Sequence, residues 1–186
     1  MIVAAAIRTF SERGYHGAST RDVAAAAGMT VASLYHHFAG KQELLVVVMT
    51  QIIQDALSAT RAALVRSGGE PAEQLAGLVR SWVEFHALRR IEARVGAAEI
   101  DSLEPEGRRV VVALRDEQEA LFRAVVARGV EVGAFATPHP VQAARAILNM
   151  GTAVSTWYRD DGELSPAQVA EIYAELALGT VRAARG

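Results

Sequence analysis

The sequence contains no cysteine and few aromatic residues. Without a single cysteine among its 186 residues, the chain can form neither a disulfide framework nor a thiolate metal site, as is typical of proteins in a reducing cytoplasm. Phe, Trp and Tyr make up only 6 % of the chain although 51 % of its residues are hydrophobic. Alanine, leucine and valine must therefore supply the core, which favours helices that pack closely together.

The chain also lacks a strong net charge and a long uncharged apolar run. Its 19 Lys and Arg residues nearly balance 21 Asp and Glu residues, which excludes a wholly basic DNA-coating protein. The small excess of positive charge in residues 1–50 and the negative charge of the remainder are consistent with nucleic-acid contact at one end. No run of roughly 18 uncharged apolar residues occurs, so we expect no transmembrane helix and no membrane partner. Arg8 interrupts the apolar N-terminus, which has no basic leader, so we expect no signal peptide.

Clusters of glycine and proline, such as those in 67–71 and 133–140, divide the chain into helical segments. Apolar periodicity and these breakers together predict an all-α fold of about nine helices, without a strand or an internal repeat. We expect a three-helix head over 1–45 and a helical body over 46–186. The predicted helices span 2–13, 20–27, 30–36, 41–66, 70–90, 91–101, 105–132, 141–158 and 165–182.

Residues 19–41 form the most informative stretch of the chain. Ser19 is a suitable N-cap with Asp22 three residues on, and Gly28 supplies the left-handed conformation that ends the helix. Thr30 then caps a second helix. Two short helices joined by a glycine-containing turn are typical of a helix-turn-helix, whose second helix can enter a DNA major groove. The alternative is a plain corner in an all-helical protein.

The residue types of the second helix suit DNA recognition. Its first turn is the part that meets base edges, where Ser33 can donate or accept a hydrogen bond. Val31 and Ala32 can pack against thymine methyl groups. Tyr35 and His37 follow about half a turn later, where such side chains reach phosphates.

The residues that define this stretch recur in one family at the same spacing: Phe10, Gly14, Tyr15, Thr20, Val23, Ala24, Ala27, Gly28, Leu34, Tyr35, His37, Phe38, Lys41 and Leu44. The pattern resembles the TetR family of one-component repressors, with a specific likeness over residues 1 to about 50. The resemblance implies a DNA-binding head and a variable body that binds a small effector and dimerises. The DNA contacts that it implies, with His36 as our own addition, are Thr20, Arg21, Thr30, Val31, Ala32, Ser33, Tyr35, His36, His37 and Lys41.

A later block, residues 157–166, resembles a connector in a TetR subgroup associated with lipid and steroid catabolism. Members of that subgroup respond to coenzyme A thioesters, so the resemblance implies a small hydrophobic or acyl-CoA-like effector. The alternative is that these residues form a plain turn and helix cap between two dimerisation helices.

We expect the effector to bind between the middle helices. The candidate ligand-binding residues are Trp82, Phe85, His86, Arg89, Phe122, Met150 and Trp157. For each apolar candidate the alternative is ordinary core packing. The arginines at 80, 89, 90 and 94 can attract an anionic effector. The alternative there is a solvated face, because Arg80 and Glu84 have the spacing of an i,i+4 ion pair.

The sequence thus predicts a cytoplasmic, ligand-responsive transcriptional repressor that binds a palindromic operator as a homodimer and is released by its effector. The last two helices are predicted to form the intersubunit bundle through Ala144, Ile147, Gly151, Ile172, Tyr173 and Leu176. One alternative is a helical ligand-binding or scaffold protein without specific DNA binding. The other is an enzyme, but no phosphate loop, metal-spaced histidine pair or Ser/His/Asp motif is present. We therefore predict no catalytic residue, no metal and no cofactor.

The chain departs from the resembled family at its N-terminus. Many members have a basic arm before the first helix, whereas here the predicted helix begins directly after Met1. Either residues that precede Met1 are missing from this sequence or the head makes fewer phosphate contacts. We expect each lost contact to weaken DNA binding and to flatten its salt dependence by about one unit of slope.

Overall fold

The computed structural model describes residues 1–181. This part of the chain contains helices and no strand, which confirms the all-α prediction. The predicted end of the last helix at residue 182 lies outside the described residues. The helices are α1 (Ile2–Gly17), α2 (Thr20–Ala26), α3 (Val31–Tyr35), α4 (Lys41–Arg66), α5 (Pro71–Leu88), α6 (Arg90–Ala98), α7 (Pro105–Glu131), α8 (Pro140–Thr152), α9 (Val154–Trp157) and α10 (Pro166–Val181), with a 3-10 turn (Glu99–Ser102) between α6 and α7.

Local signals in the sequence account for where these helices begin. Four of them, α5, α7, α8 and α10, begin at a proline, whose fixed φ suits the first helical position and whose missing N–H is not needed there. In front of α10, Ser165 and Gln168 form a capping box: the Ser165 N–H donates to Gln168 Oε1 at 2.8 Å, and the Gln168 N–H donates to Ser165 Oγ at 3.3 Å.

One predicted helix boundary is confirmed and one predicted helix was wrong. Gly14, which follows the predicted end of the first helix at residue 13, has non-helical geometry with φ at +67°, and a short helical segment follows it to Gly17. The predicted helix over 141–158 breaks at Ala153, between α8 and α9. Around this break the hydroxyls of Ser155 and Thr156 each donate to a carbonyl three residues back, which competes with regular helical bonding.

The chain forms two compact units. The first unit comprises 1–54 and 91–115, and the second comprises 55–90 and, of the described residues, those from 116 to 181. The predicted head, 1–45, lies within the first unit together with the beginning of α4, α6, the 3-10 turn and the beginning of α7. The division into functional domains at residue 45 stays a prediction.

The first unit is held together by polar contacts between the head and the segment after α6. Glu99 Oε1 accepts a hydrogen bond at 3.0 Å from the Tyr15 N–H, which lies just after the turn in α1. The Gln42 side-chain amide contacts the same segment twice, donating to Ser102 O at 2.7 Å and accepting from the Glu104 N–H at 3.2 Å. These bonds explain why 91–115 belong to the same compact unit as the head.

By length and composition, α4 is apolar enough to cross a membrane. One face of α4 is buried inside the chain, however, including Leu45, Val48 and Met49 at 0 % exposure. We therefore interpret α4 as a core helix whose apolar face is covered by the other helices.

The second unit has a close contact between α5 and α8 that requires a glycine. A Cβ atom built on Gly151 would lie 2.4 Å from Trp82 Cδ1. The indole ring is held there because Trp82 Nε1 donates a hydrogen bond of 3.0 Å to Leu148 O. Position 151 therefore has no room for a side chain.

We predict that Gly151→Ala lowers the free energy of unfolding by about 1–3 kcal/mol, because the added methyl group overpacks the core against Trp82. Gly179→Ala is the matched control, since Gly179 also lies in a helix but a Cβ there would meet nothing within 4 Å. Replacing glycine inside a helix without a clash should stabilise by about 1 kcal/mol or less. Urea unfolding of the two variants measures both effects, and a Gly151→Ala protein as stable as the parent would contradict this packing.

Candidate nucleic-acid interface

A capping box fixes the start of α2. Asp22 Oδ2 accepts from the Ser19 N–H at 2.8 Å, while Ser19 Oγ accepts from the Asp22 N–H at 3.2 Å, as the sequence predicted. The hydrogen bonds from the side chain and backbone of Ser19 hold the pKa of Asp22 below its ordinary value, and the Arg13 guanidinium, 2.8 Å from Asp22, adds to the shift. The negative charge of Asp22 also lies at the positive end of the helix dipole.

The turn between α2 and α3 has the geometry that the sequence predicted. Gly28 adopts φ of +68°, which places it in the left-handed region that glycine enters without strain. Thr30 then caps α3, with its Oγ1 accepting a 3.1 Å hydrogen bond from the Ser33 N–H. Val23 of α2 and Leu34 of α3 are both buried, so apolar packing fixes each helix in the head.

Burying Leu34 turns the rest of α3 outward. Ala32 and Tyr35 are exposed, while Val31 and Ser33 are half-buried. The other predicted DNA contacts that lie at the surface are Arg21, Thr30, His36 and His37. The exposed side chains of α3 and of the residues beside it thus form a surface that can contact a DNA groove.

Tyr35 connects the two helices at this surface. Its side chain is 51 % exposed, and its hydroxyl lies 3.3 Å from Thr20 Oγ1 at the beginning of α2. Two predicted DNA contacts from different helices therefore lie side by side. Hydroxyl groups in such a position can donate to phosphate oxygens and fix the register of a protein on DNA.

Lys41, which the resemblance places among the DNA contacts, makes its polar contacts inside the first unit in this structure. Its ammonium group donates hydrogen bonds to Tyr15 O at 2.8 Å and to Ala18 O at 2.9 Å. The same Nζ lies 4.2 Å from the centroid of the Tyr15 ring, in a cation–π contact. The Lys41 side chain therefore joins the start of α4 to the end of α1 inside the first unit instead of pointing towards a DNA phosphate.

Four of the predicted effector-binding residues come together in the second unit. Trp82 and His86 of α5 lie with ring centroids 4.2 Å apart, and Trp82 meets Phe122 of α7 at 6.2 Å. Phe85 contacts His86 at 5.6 Å. All four are buried, with His86 at 4 % exposure, so they form an aromatic cluster inside the unit.

His86 is uncharged in this cluster. Burial lowers its pKa from 6.5 to about 4, while the hydrogen bond with Trp82 O acts in the opposite direction. Since that 2.8 Å contact joins His86 Nδ1 to a carbonyl, Nδ1 must carry the proton. His86 Nε2 is then a hydrogen-bond acceptor.

The structure does not show the other three predicted effector contacts all joining this cluster. Trp157 is 46 % exposed and stacks on Tyr173 at 6.2 Å, and the Arg89 guanidinium lies 5.2 Å from the centroid of the Phe85 ring. Arg89 forms an ion pair with Asp55 at 2.6 Å, and Met150 on α8 is half-buried.

Arg80 and Arg90 were candidates for an anion-binding site or for a solvated helix face. Their contacts fit the solvated face better. Arg80 makes two hydrogen bonds to Glu171 of α10, at 2.5 and 2.8 Å, instead of the predicted pair with Glu84. These bonds raise the pKa of Arg80 and lower that of Glu171. Arg90 donates to Tyr158 O.

Sequence reasoning missed one buried polar pair in the second unit. Thr60 of α4 and Gln118 of α7 are 0 % and 2 % exposed, and Thr60 Oγ1 donates to Gln118 Oε1 at 3.1 Å. Gln118 lies in the polar run 115–119, which looks like a helix surface, and its position one turn before Phe122 was the only available signal. Among residues 1–181 no cluster of His, Asp and Glu has a geometry that could hold a metal ion.

The predicted dimerisation residues divide into two groups. Ala144, Ile147 and Gly151 are buried within the chain, which corrects their assignment to a surface between subunits. Ile172 and Leu176 of α10, in contrast, are 42 % and 52 % exposed. Together with Tyr173 and the exposed Trp157 they form an apolar strip, which we call the α10 strip.

Two family models match most of the chain. Residues 2–48 match the model described as bacterial regulatory proteins of the tetR family, and residues 68–181 match a tetracyclin repressor-like C-terminal domain. The transcriptional repressor KstR2 of Mycobacterium tuberculosis is 30 % identical over 174 residues, which cover 92 % of this chain and 86 % of KstR2.

Solved structures share the fold over nearly the whole chain. A regulatory protein of the tetR family from Rhodococcus RHA1 superposes with a TM-score of 0.92 at 32 % identity, covering 98 % of this chain and 96 % of that one. AibR in complex with isovaleryl coenzyme A and operator DNA superposes with a TM-score of 0.85 at 25 % identity, covering 94 % of this chain and 95 % of AibR.

We predict that Lys41→Met lowers the free energy of unfolding by about 2 kcal/mol, because two charge-assisted hydrogen bonds and a cation–π contact are lost. Arg8→Met, which removes an exposed cation from α1, is the control and should change stability little. Denaturant unfolding measures both variants. An unchanged stability for Lys41→Met would show that its ammonium is not held by Tyr15 and Ala18.

We predict that buried His86 makes the protein less stable as pH falls from 6.5 towards 4. In this window the unfolded chain binds a proton that native His86 does not, so stability falls by up to about 1.4 kcal/mol per pH unit. The variant His86→Asn, which cannot titrate, should lose less stability than the parent between neutral pH and about pH 5. Urea unfolding at both pH values is the measurement. His139→Asn, at an exposed site, should behave like the parent, and equal losses in all three proteins would contradict the buried neutral state.

Proposed function

This chain belongs to the TetR family of transcriptional regulators, and from that premise we propose that it represses transcription in the cytoplasm by binding a palindromic operator as a homodimer. We further propose that a small apolar effector bound in the second unit releases it from DNA. The family consists of transcription factors and not of enzymes. Residues 1–45 would then act as the DNA-binding domain and 46–186 as the effector-binding and dimerisation domain.

The outward face of α3 is the observation that best supports operator recognition. Buried Leu34 and the Thr30 cap hold α3 with its first turn accessible, and Ala32 and Ser33 in that turn can meet base edges. Tyr35 and the neighbouring Thr20 hydroxyl are placed to bind phosphates. In our proposal Arg21, His36 and His37 add further backbone contacts, and Lys41 is excluded because its side chain is bound within the head.

The α10 strip supports the homodimer. Ile172, Leu176 and Trp157 place large apolar side chains at the surface of the second unit, where water makes their exposure unfavourable. In a homodimer the α10 strip of one copy would pack against the α10 strip of the other. Both strips would then be buried, as in a two-fold symmetric interface. Two heads presented by such a dimer would read two half-sites about one helical turn apart.

An acyl thioester is the effector class that the comparisons favour. The related AibR has been solved with isovaleryl coenzyme A and operator DNA, and KstR2 is described as a ketosteroid transcriptional regulator. In this chain the buried aromatic cluster of Trp82, His86 and Phe122 supplies the apolar surroundings that such an acyl group needs.

We predict that Tyr35→Ala weakens binding to the operator by at least about tenfold, because the Tyr35 phosphate contact and the hydrogen bond that positions it against Thr20 are lost. The operator can be selected from random duplexes by the purified protein, and fluorescence anisotropy then measures both affinities. Leu88→Ala, at an exposed position of the second unit, is the control and should bind like the parent. If the parent and Tyr35→Ala bound every sequence equally, specific recognition by α3 would be excluded.

A further inference from the structure

Gln118 is a buried amide that uses only part of its hydrogen-bonding capacity. Its Oε1 accepts from Thr60 Oγ1, but its Nε2 is buried and has no hydrogen-bond partner. Turning the amide over would bring Nε2 to Thr60 and leave Oε1 unpaired, so one end lacks a partner in either orientation. An unpaired buried polar group costs about 1–3 kcal/mol, so the fold alone gives no reason for a glutamine here.

Thr60 does not require this glutamine either. Its hydroxyl lies 3.0 Å from both Ala56 O and Leu57 O, the carbonyls of its own helix one turn back. The threonine hydroxyl is therefore satisfied within α4, and an apolar residue at 118 would leave no unpaired group behind. Gln118 thus costs stability without serving a neighbour, which is typical of a residue that has a ligand.

His86 lies at the same level as Gln118 in the second unit. Arg128 donates to Gln74 Oε1 at 3.0 Å, and Phe122 meets Trp82, so α5 and α7 run antiparallel. His86 lies one turn after Trp82 on α5, and Gln118 lies one turn before Phe122 on α7. In the orientation that pairs Oε1 with Thr60, the unpaired Nε2 donor of Gln118 and the His86 Nε2 acceptor therefore lie towards one end of the aromatic cluster.

The buried side chains around this position favour an uncharged ligand group. The guanidinium of Arg89 lies 5.2 Å from the Phe85 ring centroid, but it is already paired with the Asp55 carboxylate. In the described part of the second unit the buried polar side chains are Thr60, His86, Gln118 and Ser155, and none of them is charged. A carboxylate placed among them would lose its hydration without gaining a cation as partner, which is strongly unfavourable. An uncharged carbonyl oxygen, in contrast, can accept from the Gln118 amide at little cost.

We propose that Gln118 is the specificity-determining residue of the effector site and that its side-chain amide donates to the carbonyl oxygen of an uncharged thioester, ester or ketone. Trp82 and Phe122 then contact the apolar part of the ligand. This inference rests on the proposed function, in which the second unit binds an effector, and adds the chemical class of the group that is recognised. A free carboxylic acid of the same chain length is rejected by the same site.

The test compares a neutral thioester, the isovaleryl ester of N-acetylcysteamine, with the isovalerate anion by isothermal titration calorimetry. The parent should bind the thioester at least about tenfold more tightly than isovalerate, which corresponds to about 1.4 kcal/mol. Gln118→Met keeps the volume but cannot donate, and should lose at least about tenfold in thioester affinity. Gln142→Met, an exposed glutamine on α8, is the matched control and should bind like the parent.

A second measurement needs no ligand. Because Gln118→Met removes an unpaired buried group, the thermal midpoint of the ligand-free variant should equal or exceed that of the parent. A clearly lower midpoint would show that the fold itself, or a bound water, satisfies the amide, and would overturn the inference. Thioester binding that Gln118→Met leaves unchanged would overturn it too, as would absence of thioester binding to the parent at millimolar concentration.

Operator binding separates this inference from the proposed function. If the thioester binds through Gln118 but does not change the affinity of the parent for operator DNA, the site stands and the proposed release mechanism fails. If the thioester releases both the parent and Gln118→Met from DNA at the same concentration, the release mechanism stands and the role of Gln118 is wrong.

Discussion

The first unit depends on the bond between one ammonium group and the end of one helix. Lys41 donates to Tyr15 O and Ala18 O, two carbonyls that lie after the turn of α1 at Gly14. Ser19, the next residue, caps α2, so the contact joins the start of α4 to the point where α2 begins. Charge-assisted hydrogen bonds of this kind are about twice as strong as neutral ones. The direction in which α2 and α3 leave α1 therefore depends on this single lysine of the chain.

In the second unit, a closely packed contact lies near two polar core residues that lower the stability of the fold. The Trp82 ring packs directly against Gly151 and donates a hydrogen bond to Leu148 O. Such close packing stabilises a protein core. One turn away, the neutral His86 and the incompletely bonded Gln118 occupy core positions that apolar residues would fill more favourably. Proteins commonly break packing rules where they bind ligands, because the binding partner supplies the missing interactions.

Structural features that depend on residues close together in the sequence were predicted correctly. The caps at Ser19 and Thr30 and the left-handed Gly28 depend on contacts within a few positions, so the helix-turn-helix and its outward face could be anticipated. Long side chains choose distant partners, and local pattern could not show that Lys41 binds carbonyls of α1. Nor could it show that Trp157 stacks on Tyr173 at the surface, or that Gln118 in a polar run points inward. Which face of a helix meets which neighbour is decided by packing and not by periodicity alone.

The most direct test of the account is the structure of the protein bound to its operator. We expect α3 in the major groove, with Tyr35 and Thr20 on neighbouring phosphates and Ala32 and Ser33 towards base edges. Lys41 Nζ should remain on Tyr15 O and Ala18 O, since those bonds hold the head together. A complex in which α3 lies outside the groove, or in which Lys41 leaves those carbonyls to bind a phosphate, would contradict the account.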